Sequence, residues 1–272
     1  MQSAHPDTLD TTNTLSTQPA LLVEKRDGIA WLTLNRPKQY NALSSTLLDQ
    51  LHAAFDDIAH DQSIRVAVIA ANGHAFCAGH DLKEMQGADD ARFAANLFQG
   101  CSAMMLKIAK LPVPVIAEVQ GMATAAGCQL VAQCDLAVAA ESSKFAVSGV
   151  NLGLFCSTPA VALSRTISRK RAAEMLMLGE FIDAATALNW GLVNRVASAK
   201  SLRAETLKLC ETLKAKPREA LATGKALFYR QLEAGIEAAY QDASATITCN
   251  FVHPDAQEGI DAFLEKRRPN WT

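Results

Sequence analysis

The stretch PVPVIAEVQGMATAAGCQLVAQCD, residues 112–135, decides the fold more than any other part of the chain. It begins with apolar residues at 115–119, a pattern typical of a buried strand. The small residues at 121–127 predict a tight turn, and a helix is expected around residues 128–134. A second apolar strand is predicted at 135–140. A strand, a small-residue turn, a helix and a further strand together indicate an α/β architecture.

A second stretch, FCAGHDLKEM at residues 76–85, has the same character. The apolar run RVAVIAA (65–71) precedes it and predicts a strand, and a helix is expected to begin near Leu82. A helix that starts directly after such a turn points its free backbone N–H groups outward. Two turns of this kind, facing each other, can hold a developing negative charge. The simpler interpretation is that the small residues only allow close packing of helix and strand.

The chain as a whole divides into three parts. Residues 1–20 are polar and predict a disordered tail, and residues 21–200 form the predicted α/β core. The core opens with strands at 21–25 and 29–34 around the turn dipeptide Asp27-Gly28. Helices are expected after Ser44 or Ser45 and over residues 92–110. Residues 201–272 show only helical patterns and predict a C-terminal helical region.

Composition excludes several classes of function. A net charge of −2 gives no sign of a nucleic-acid or membrane partner. No apolar run approaches the roughly 18–20 residues of a membrane span. The seven cysteines are scattered and without metal-ligand spacing, so we expect reduced thiols and no metal site. The first twenty residues lack Lys and Arg and do not resemble a secretory or organelle signal, which predicts a cytoplasmic protein.

Four segments in the same order resemble the crotonase (enoyl-CoA hydratase/isomerase) family. They are NRPKQYNALSSTLLDQL (35–51), FCAGHDLKEM (76–85), the stretch 112–135, and EGIDAFLEKRRPNW (258–271). The resemblance runs from about Leu21 to Trp271. Within the family, AAGCQLVA (125–132) and LGLFCSTP (152–159) most resemble the enoyl-CoA hydratase domain-containing protein 3 group.

The resemblance implies a spiral of ββα units with a helical C-terminal trimerisation region. It implies homotrimers, or hexamers built as dimers of trimers. The expected ligand is an acyl-CoA thioester, with coenzyme A as part of the substrate and no permanently bound cofactor. By motif position, the backbone amides of His80 and Ala126 form the oxyanion hole.

The motifs also assign residues to substrate and CoA binding. The first turn supplies Ala78, Asp81, Leu82 and Lys83. Of these, Lys83 matches a family position near CoA, whose phosphates need cations for binding. The C-terminal segment supplies Phe263 and Lys266, which in this family often reach CoA from a neighbouring subunit. For the lysines and Phe263 the simpler alternative is a solvated side chain or a packing residue.

The chain departs from the family at both positions where hydratases carry a catalytic glutamate. These positions hold Gln129 and Gly149. An amide does not exchange a proton near neutral pH, and glycine has no side chain. Since a positioned acid or base contributes about 10²–10⁴ in rate, we expect little hydratase activity.

Few residues offer replacement chemistry. The His80 side chain can titrate near neutrality but is more often a packing residue. Glu118 is a weak candidate that we expect to pair at the exposed end of its strand. Cys156 and Ser157 are expected to line the acyl pocket, since no base is evident for a nucleophile. Asp81 and Asp135 are expected to be a helix cap and a strand-end polar residue.

Three functions therefore stay open. The first is an enzyme that stabilises an acyl-CoA enolate. The second is a non-catalytic acyl-CoA binder or regulatory subunit. The third is a structural subunit that assembles with an active relative and binds no CoA.

Overall fold

The structure is a computed structural model and describes residues 19–87 and 90–271. The predicted tail, residues 1–20, lies outside the described residues except for its last two. The described strands are β1 (Leu21–Arg26), β2 (Ile29–Leu34), β3 (Val66–Ala71), β4 (Ala75–Cys77), β5 (Val115–Val119), β6 (Met122–Thr124), β7 (Leu136–Ala140), β8 (Lys144–Ala146), β9 (Ile182–Asp183) and β10 (Arg195–Ala197).

The α-helices alternate with these strands and then follow one another at the C-terminus. They are α1 (Ser45–His60), α2 (Leu82–Gln86), α3 (Ala91–Lys110), α4 (Ala126–Gln133), α5 (Ser157–Thr166), α6 (Arg169–Leu178), α7 (Ala184–Trp190), α8 (Leu202–Lys214), α9 (Arg218–Gln231), α10 (Ile236–Phe251) and α11 (Pro254–Leu264). None of the helices in the described part of the chain has the length and hydropathy needed to cross a bilayer.

The strands form two mixed sheets. The larger has the order β1-β2-β3-β5-β7-β10 and the smaller the order β4-β6-β8-β9. The consecutive pairs β3/β4, β5/β6 and β7/β8 each send one strand to each sheet, and each pair is followed by a helix. This repeated ββα unit confirms the predicted α/β spiral.

Helix α4 lies at the centre of the molecule. Seven of its eight residues are buried, which its sequence AGCQLVAQ permits because it contains no charged residue. It packs against β6 and α5 within the main hydrophobic core. A second, smaller cluster on the outer face of the large sheet is covered by α8 through Leu202, Leu209 and Cys210. The turn that precedes α4 is therefore anchored by a helix that is buried in the main hydrophobic core.

The C-terminal helices extend from this core. Helices α9 and α10 bury none of their residues within the chain. The Asp135 carboxylate ties α9 to the sheet by accepting hydrogen bonds from the Lys225 Nζ at 2.6 Å and the Tyr229 hydroxyl at 2.8 Å. Asp135 also accepts from the Val115 amide, so it is the strand-end polar residue that the sequence predicts.

Two local predictions are wrong. The small-residue turn predicted at 121–127 contains β6, and α4 begins at Ala126 rather than near Cys128. Strand β6 forms because it pairs with β4 and β8, which its own small residues do not reveal. Glu118 does pair, with Arg203 at 3.0 Å, but it is buried rather than at an exposed strand end.

Candidate functional site

A cavity of about 420 Å³ lies between the two small-residue turns and the segment that follows β8. Its walls are mainly apolar, with a few hydroxyls, one thiol and one imidazole. The lining residues are Ala78, His80, Leu82, Met85, Phe98, Ala125, Ala126, Ser148, Gly149, Leu152, Leu154, Phe155, Cys156, Ser157, Thr158 and Pro159. Both turns singled out in the sequence thus meet at one site.

The first turn follows β4 and is held from outside by the segment 40–43. The Ala78 amide donates to the Tyr40 carbonyl. The Leu43 amide donates to the Gly79 carbonyl, and the Asp81 amide donates to the Leu43 carbonyl. Gly79 has a φ of +93°, and a Cβ there would lie 2.8 Å from the Cβ of Ala125. The His80 N–H, within this tightly held turn, has no acceptor among the described residues.

The second turn precedes α4 and is equally fixed. Ala125 has φ 50° and ψ −121°, an unusual conformation for a residue with a Cβ. Its amide donates to the Ala146 carbonyl, and its carbonyl accepts from the Gln129 amide. Ala126 is the first residue of α4, and its N–H has no acceptor in the described chain.

The two turns are in contact with each other. A Cβ on Gly79 would lie 3.3 Å from the Ala126 nitrogen, and one on Gly127 would lie 2.1 Å from the Cys77 carbonyl oxygen. Glycine is therefore required at both positions for the turns to approach. The result is a pair of unpartnered N–H groups in neighbouring turns, and the two residues that carry them, His80 and Ala126, line the same cavity.

Gln129 and Gly149 stand at different distances from the cavity. Gln129 is buried on α4 and is not among the lining residues, and its Oε1 has no hydrogen-bond partner within the described chain. Gly149 lines the cavity. A Cβ on Gly149 would lie 2.5 Å from the Leu154 carbonyl oxygen and 2.7 Å from the Cys156 Sγ. The loop as folded leaves no room for any side chain at residue 149.

Asp81 supports the first turn rather than the cavity. Its Oδ1 caps α2 by accepting from the amides of Lys83 and Glu84, and its Oδ2 accepts from the Arg36 guanidinium at 2.8 Å. Burial acts to raise the pKa of Asp81, but Arg36 and the two amides outweigh it and hold the pKa below its usual value. The predicted helix cap is thus present.

The other predicted CoA-binding residues lie outside the cavity of this single chain. Lys83 is exposed on α2, one position beyond the lining residue Leu82. Phe263 near the end of α11 is 82% exposed, and Lys266 follows with a φ of +55°. Neither C-terminal residue lines the cavity, although Ala78 and Leu82 do.

Sequence reasoning missed several residues of the site. Phe98 and Met85 form one wall, and the hydroxyls of Thr124 and Ser148 lie 3.0 Å apart beside the second turn. Helical spacing from Leu82 to Met85 was the available signal for that wall. Cys156 and Ser157 line the cavity, as expected for residues of the acyl pocket, whereas Glu118 and Asp135 do not. No group of His, Cys, Asp and Glu in the described ranges has the arrangement of a metal site.

Comparison with known proteins gives consistent results. The family model for enoyl-CoA hydratase/isomerase matches residues 24–272. The human enoyl-CoA hydratase domain-containing protein 3, mitochondrial, is 46% identical over 249 residues, covering 90% of this chain and 81% of that protein. Its crystal structure superposes with a TM-score of 0.90 over 93% of this chain and all of that one, at 44% identity. An enoyl-CoA hydratase structure from Mycobacterium smegmatis gives a TM-score of 0.92 at 56% identity, covering 93% of this chain and 99% of that one.

Proposed function

The chain belongs to the enoyl-CoA hydratase/isomerase family, and we propose that it binds an acyl-CoA thioester in the central cavity. In this proposal the amides of His80 and Ala126 donate to the thioester oxygen and stabilise the enolate that forms during reaction. The observation that carries it is that two residues with unpartnered N–H groups, in turns that contact each other, line one largely apolar cavity. Donors fixed in advance, in a site that excludes water, stabilise developing charge most effectively.

Coenzyme A enters this proposal as part of the substrate, and no resident cofactor is invoked. Ala78 and Leu82 would contact the ligand near the thioester, and Lys83 would face the CoA phosphates with Asp81 holding its helix in place. Phe263 and Lys266 would close over CoA from a neighbouring subunit of a homotrimer or hexamer. The cytoplasmic location stays a prediction, and the human relative is named as a mitochondrial protein.

We further propose that ordinary hydration is lost. Gln129 would replace one hydratase glutamate with a group that does not exchange protons near neutral pH. At residue 149 the Leu154 carbonyl and the Cys156 thiol occupy the space of the other. Reactions of an acyl-CoA enolate that need fewer acid and base groups are better suited to this cavity.

A non-catalytic acyl-CoA binder is the second candidate. It is favoured by one observation, that none of the described lining residues is Asp, Glu, Lys or Arg. Binding without turnover of saturated, 2-enoyl and 3-enoyl thioesters would favour this candidate over the enzyme.

The test compares two ligands that differ only at the carbonyl. Butyryl-CoA carries the thioester oxygen, whereas the thioether S-butyl-CoA does not. Two net hydrogen bonds are worth about 1–3 kcal/mol together, so calorimetry should show the thioester binding roughly 5- to 150-fold tighter. Equal affinities would contradict the proposed role of the two amides.

Variants at Ala126 test the same contact from the protein side. Proline fits the first position of a helix and removes the N–H, so Ala126→Pro should lower the thioester preference and cut any enolate-forming turnover by about 10²–10³. Ala126→Gly keeps the N–H and is the matched control. If Ala126→Pro does not fold, the ligand comparison on the unaltered protein still decides the question.

A further inference from the structure

Two titratable side chains line the cavity, and both belong to residues already described. They are His80 and Cys156; the other described lining residues carry no group that exchanges protons near neutral pH. Among the described lining residues, these two are therefore the candidates to move a proton within the cavity. Their surroundings differ in a way that separates them.

The Cys156 thiol makes a hydrogen bond within its own loop. Its Sγ accepts a hydrogen bond from the Gly149 amide at 3.3 Å, which closes the loop between the two residues. Burial raises the pKa of Cys156 above its usual value, and the Gly149 hydrogen bond offsets this only in part. The thiol is neutral near pH 7 and is a poor proton acceptor.

The His80 ring is not held in this way by a neighbouring amide. It stands edge-on to Phe98, with centroids 5.2 Å apart. Its Nδ1 and Nε2 are both buried, and neither makes a hydrogen bond of standard geometry among the described residues, although the Leu43 carbonyl lies near enough to raise the pKa of the ring. Buried polar atoms without a partner are destabilising, which makes an imidazole at this place costly unless a ligand uses it.

The ring is in the form that accepts protons. Burial lowers the pKa of His80 from its usual value, and the Leu43 carbonyl and the Glu84 carboxylate offset this only in part. The imidazole is therefore neutral at pH 7 and one nitrogen carries a free lone pair. A half-turn about Cβ–Cγ exchanges its nitrogens and carbons, so the ring can turn a different edge to the cavity without moving the amide.

We propose that the His80 imidazole is the proton carrier of the cavity and moves a proton between carbons of a bound acyl-CoA. This rests on the proposed acyl-CoA function and adds a second role to a residue whose amide is already proposed to hold the thioester oxygen. His80 is then a catalytic residue through two separate groups, one of the backbone and one of the side chain.

The step is clearest for a 3-enoyl thioester. The imidazole takes a proton from C2, and the C–H electron pair becomes the C1–C2 double bond of a dienolate while the carbonyl pair moves onto oxygen. The carbonyl then re-forms, the C1–C2 pair moves to C2–C3, and the C3–C4 pair takes the proton back from the imidazolium at C4. The product is the 2-enoyl thioester, and His80 returns to its neutral form.

A single carrier is sufficient for this shift because the same group removes and returns the proton. Hydration of a 2-enoyl thioester needs a water to be activated as well as a carbon to be protonated. The proposal therefore assigns a double-bond shift, rather than hydration, to a cavity whose described lining includes one imidazole and no carboxylate.

The test follows trans-3-hexenoyl-CoA in deuterated buffer. Formation of the conjugated 2-enoyl product is read by ultraviolet absorbance and deuterium at C2 and C4 by NMR. The unaltered protein should form the conjugated product with less than one deuterium at C4 per turnover, because the imidazolium returns protons that it took from C2. His80→Gln keeps the backbone amide but not the titrating group, and should lower the rate by about 10²–10⁴ while binding butyryl-CoA within about threefold of the unaltered protein.

Chemical rescue provides a readout that a merely structural histidine would not give. His80→Ala leaves space for a free imidazole, and added imidazole should restore rate in proportion to the concentration of its neutral form. The rate of the unaltered protein should rise with pH up to a pKa below about 6.5 and then stay level, because only the neutral ring accepts a proton.

Each contrary result has a distinct meaning. An unaltered rate in His80→Gln, or no double-bond shift by a protein that binds butyryl-CoA, overturns the inference and leaves the proposed function standing. No preference for butyryl-CoA over S-butyl-CoA overturns the proposed function instead. A variant that binds butyryl-CoA but loses rate and is not rescued by imidazole would indicate a structural role for the His80 side chain. That result also overturns the inference.

Discussion

Gly149 lines the cavity at a point where the fold has no space for a side chain. The Leu154 carbonyl oxygen and the Cys156 Sγ both lie within 3 Å of the position that a Cβ would occupy. A backbone carbonyl cannot turn aside as the tip of a flexible side chain can. The loop 149–156 must therefore rearrange before any residue other than glycine is accepted.

Gly149→Ala should lower the free energy of unfolding by about 1–3 kcal/mol, as overpacking of a closed site does. Thermal unfolding followed by circular dichroism measures this. Gly100→Ala, in the middle of α3 with no atom within 4 Å of the new Cβ, is the control and should be neutral or stabilising by up to about 1 kcal/mol. A Gly149→Ala protein as stable as the control would mean that the loop accepts a side chain.

Elements far apart in sequence hold the first turn. The Arg36 guanidinium donates to the Ala42 carbonyl at 2.6 Å and to the Asp81 carboxylate at 2.8 Å. Asn41, fully buried, donates from its amide to the carbonyls of Asn72 and Ala75. The segment 36–43 thus joins α2, β4 and the His80 turn, which gives the first resembling motif a structural role that its sequence alone did not indicate.

Arg36→Gln should loosen this turn without touching the cavity. We expect a loss of about 1.5–3 kcal/mol of stability, because a half-buried carboxylate loses its charged partner. The preference for butyryl-CoA over S-butyl-CoA should shrink while S-butyl-CoA affinity changes little. Arg26→Gln, which breaks exposed pairs with Glu24 and Asp27, is the control and should cost under about 1 kcal/mol. Equal effects of the two variants would contradict the role of Arg36.

The Asp81 pair also gives this element a pH dependence. Its folded-state pKa lies below the usual value, so the stability it contributes is fully present above about pH 4 and is lost as the pH falls through the folded-state pKa. The difference in stability between the unaltered protein and Arg36→Gln should therefore be constant near neutrality and narrow in acid.

At the scale of the whole molecule, α9 and α10 carry large apolar side chains that the described part of the chain does not cover. Ile236, Tyr240 and Ile247 on α10 are each more than 60% exposed. Exposed apolar surface of this extent commonly marks an interface, and the predicted homotrimer or hexamer would cover it.

Ile247→Lys should reduce the assembly mass measured by light scattering from three or six chains toward one. Gln241→Lys adds the same charge at an exposed polar position of α10 and should leave the mass unchanged. Because Phe263 and Lys266 are proposed to act from a neighbouring subunit, loss of assembly should also weaken CoA binding. A single-chain mass for the unaltered protein would sink this prediction.

Prediction from sequence succeeded where local pattern determines structure. The Asp27-Gly28 turn and the apolar runs of β1, β2, β3 and β5 depend on neighbouring residues, and each strand lies within a residue of its predicted limits. Strand β6 depends on pairing with β4 and β8, and the ion pair between the buried Glu118 and the exposed Arg203 joins residues 85 positions apart. The lack of space for a side chain at Gly149 depends on how the loop brings Leu154 and Cys156 back against that residue. Such features arise only once the chain is folded.

The free amides of His80 and Ala126 have a consequence for how such a protein can evolve. Main-chain groups are present whatever side chain is encoded, so substitutions at residues 80 and 126 other than proline leave both donors in place. If the two donors hold the thioester oxygen as proposed, a lineage can replace the surrounding acids and bases one at a time and still recognise the same class of ligand. Divergence of reaction without loss of binding is then the easy path, and a name inherited from a relative describes the ligand more securely than the chemistry.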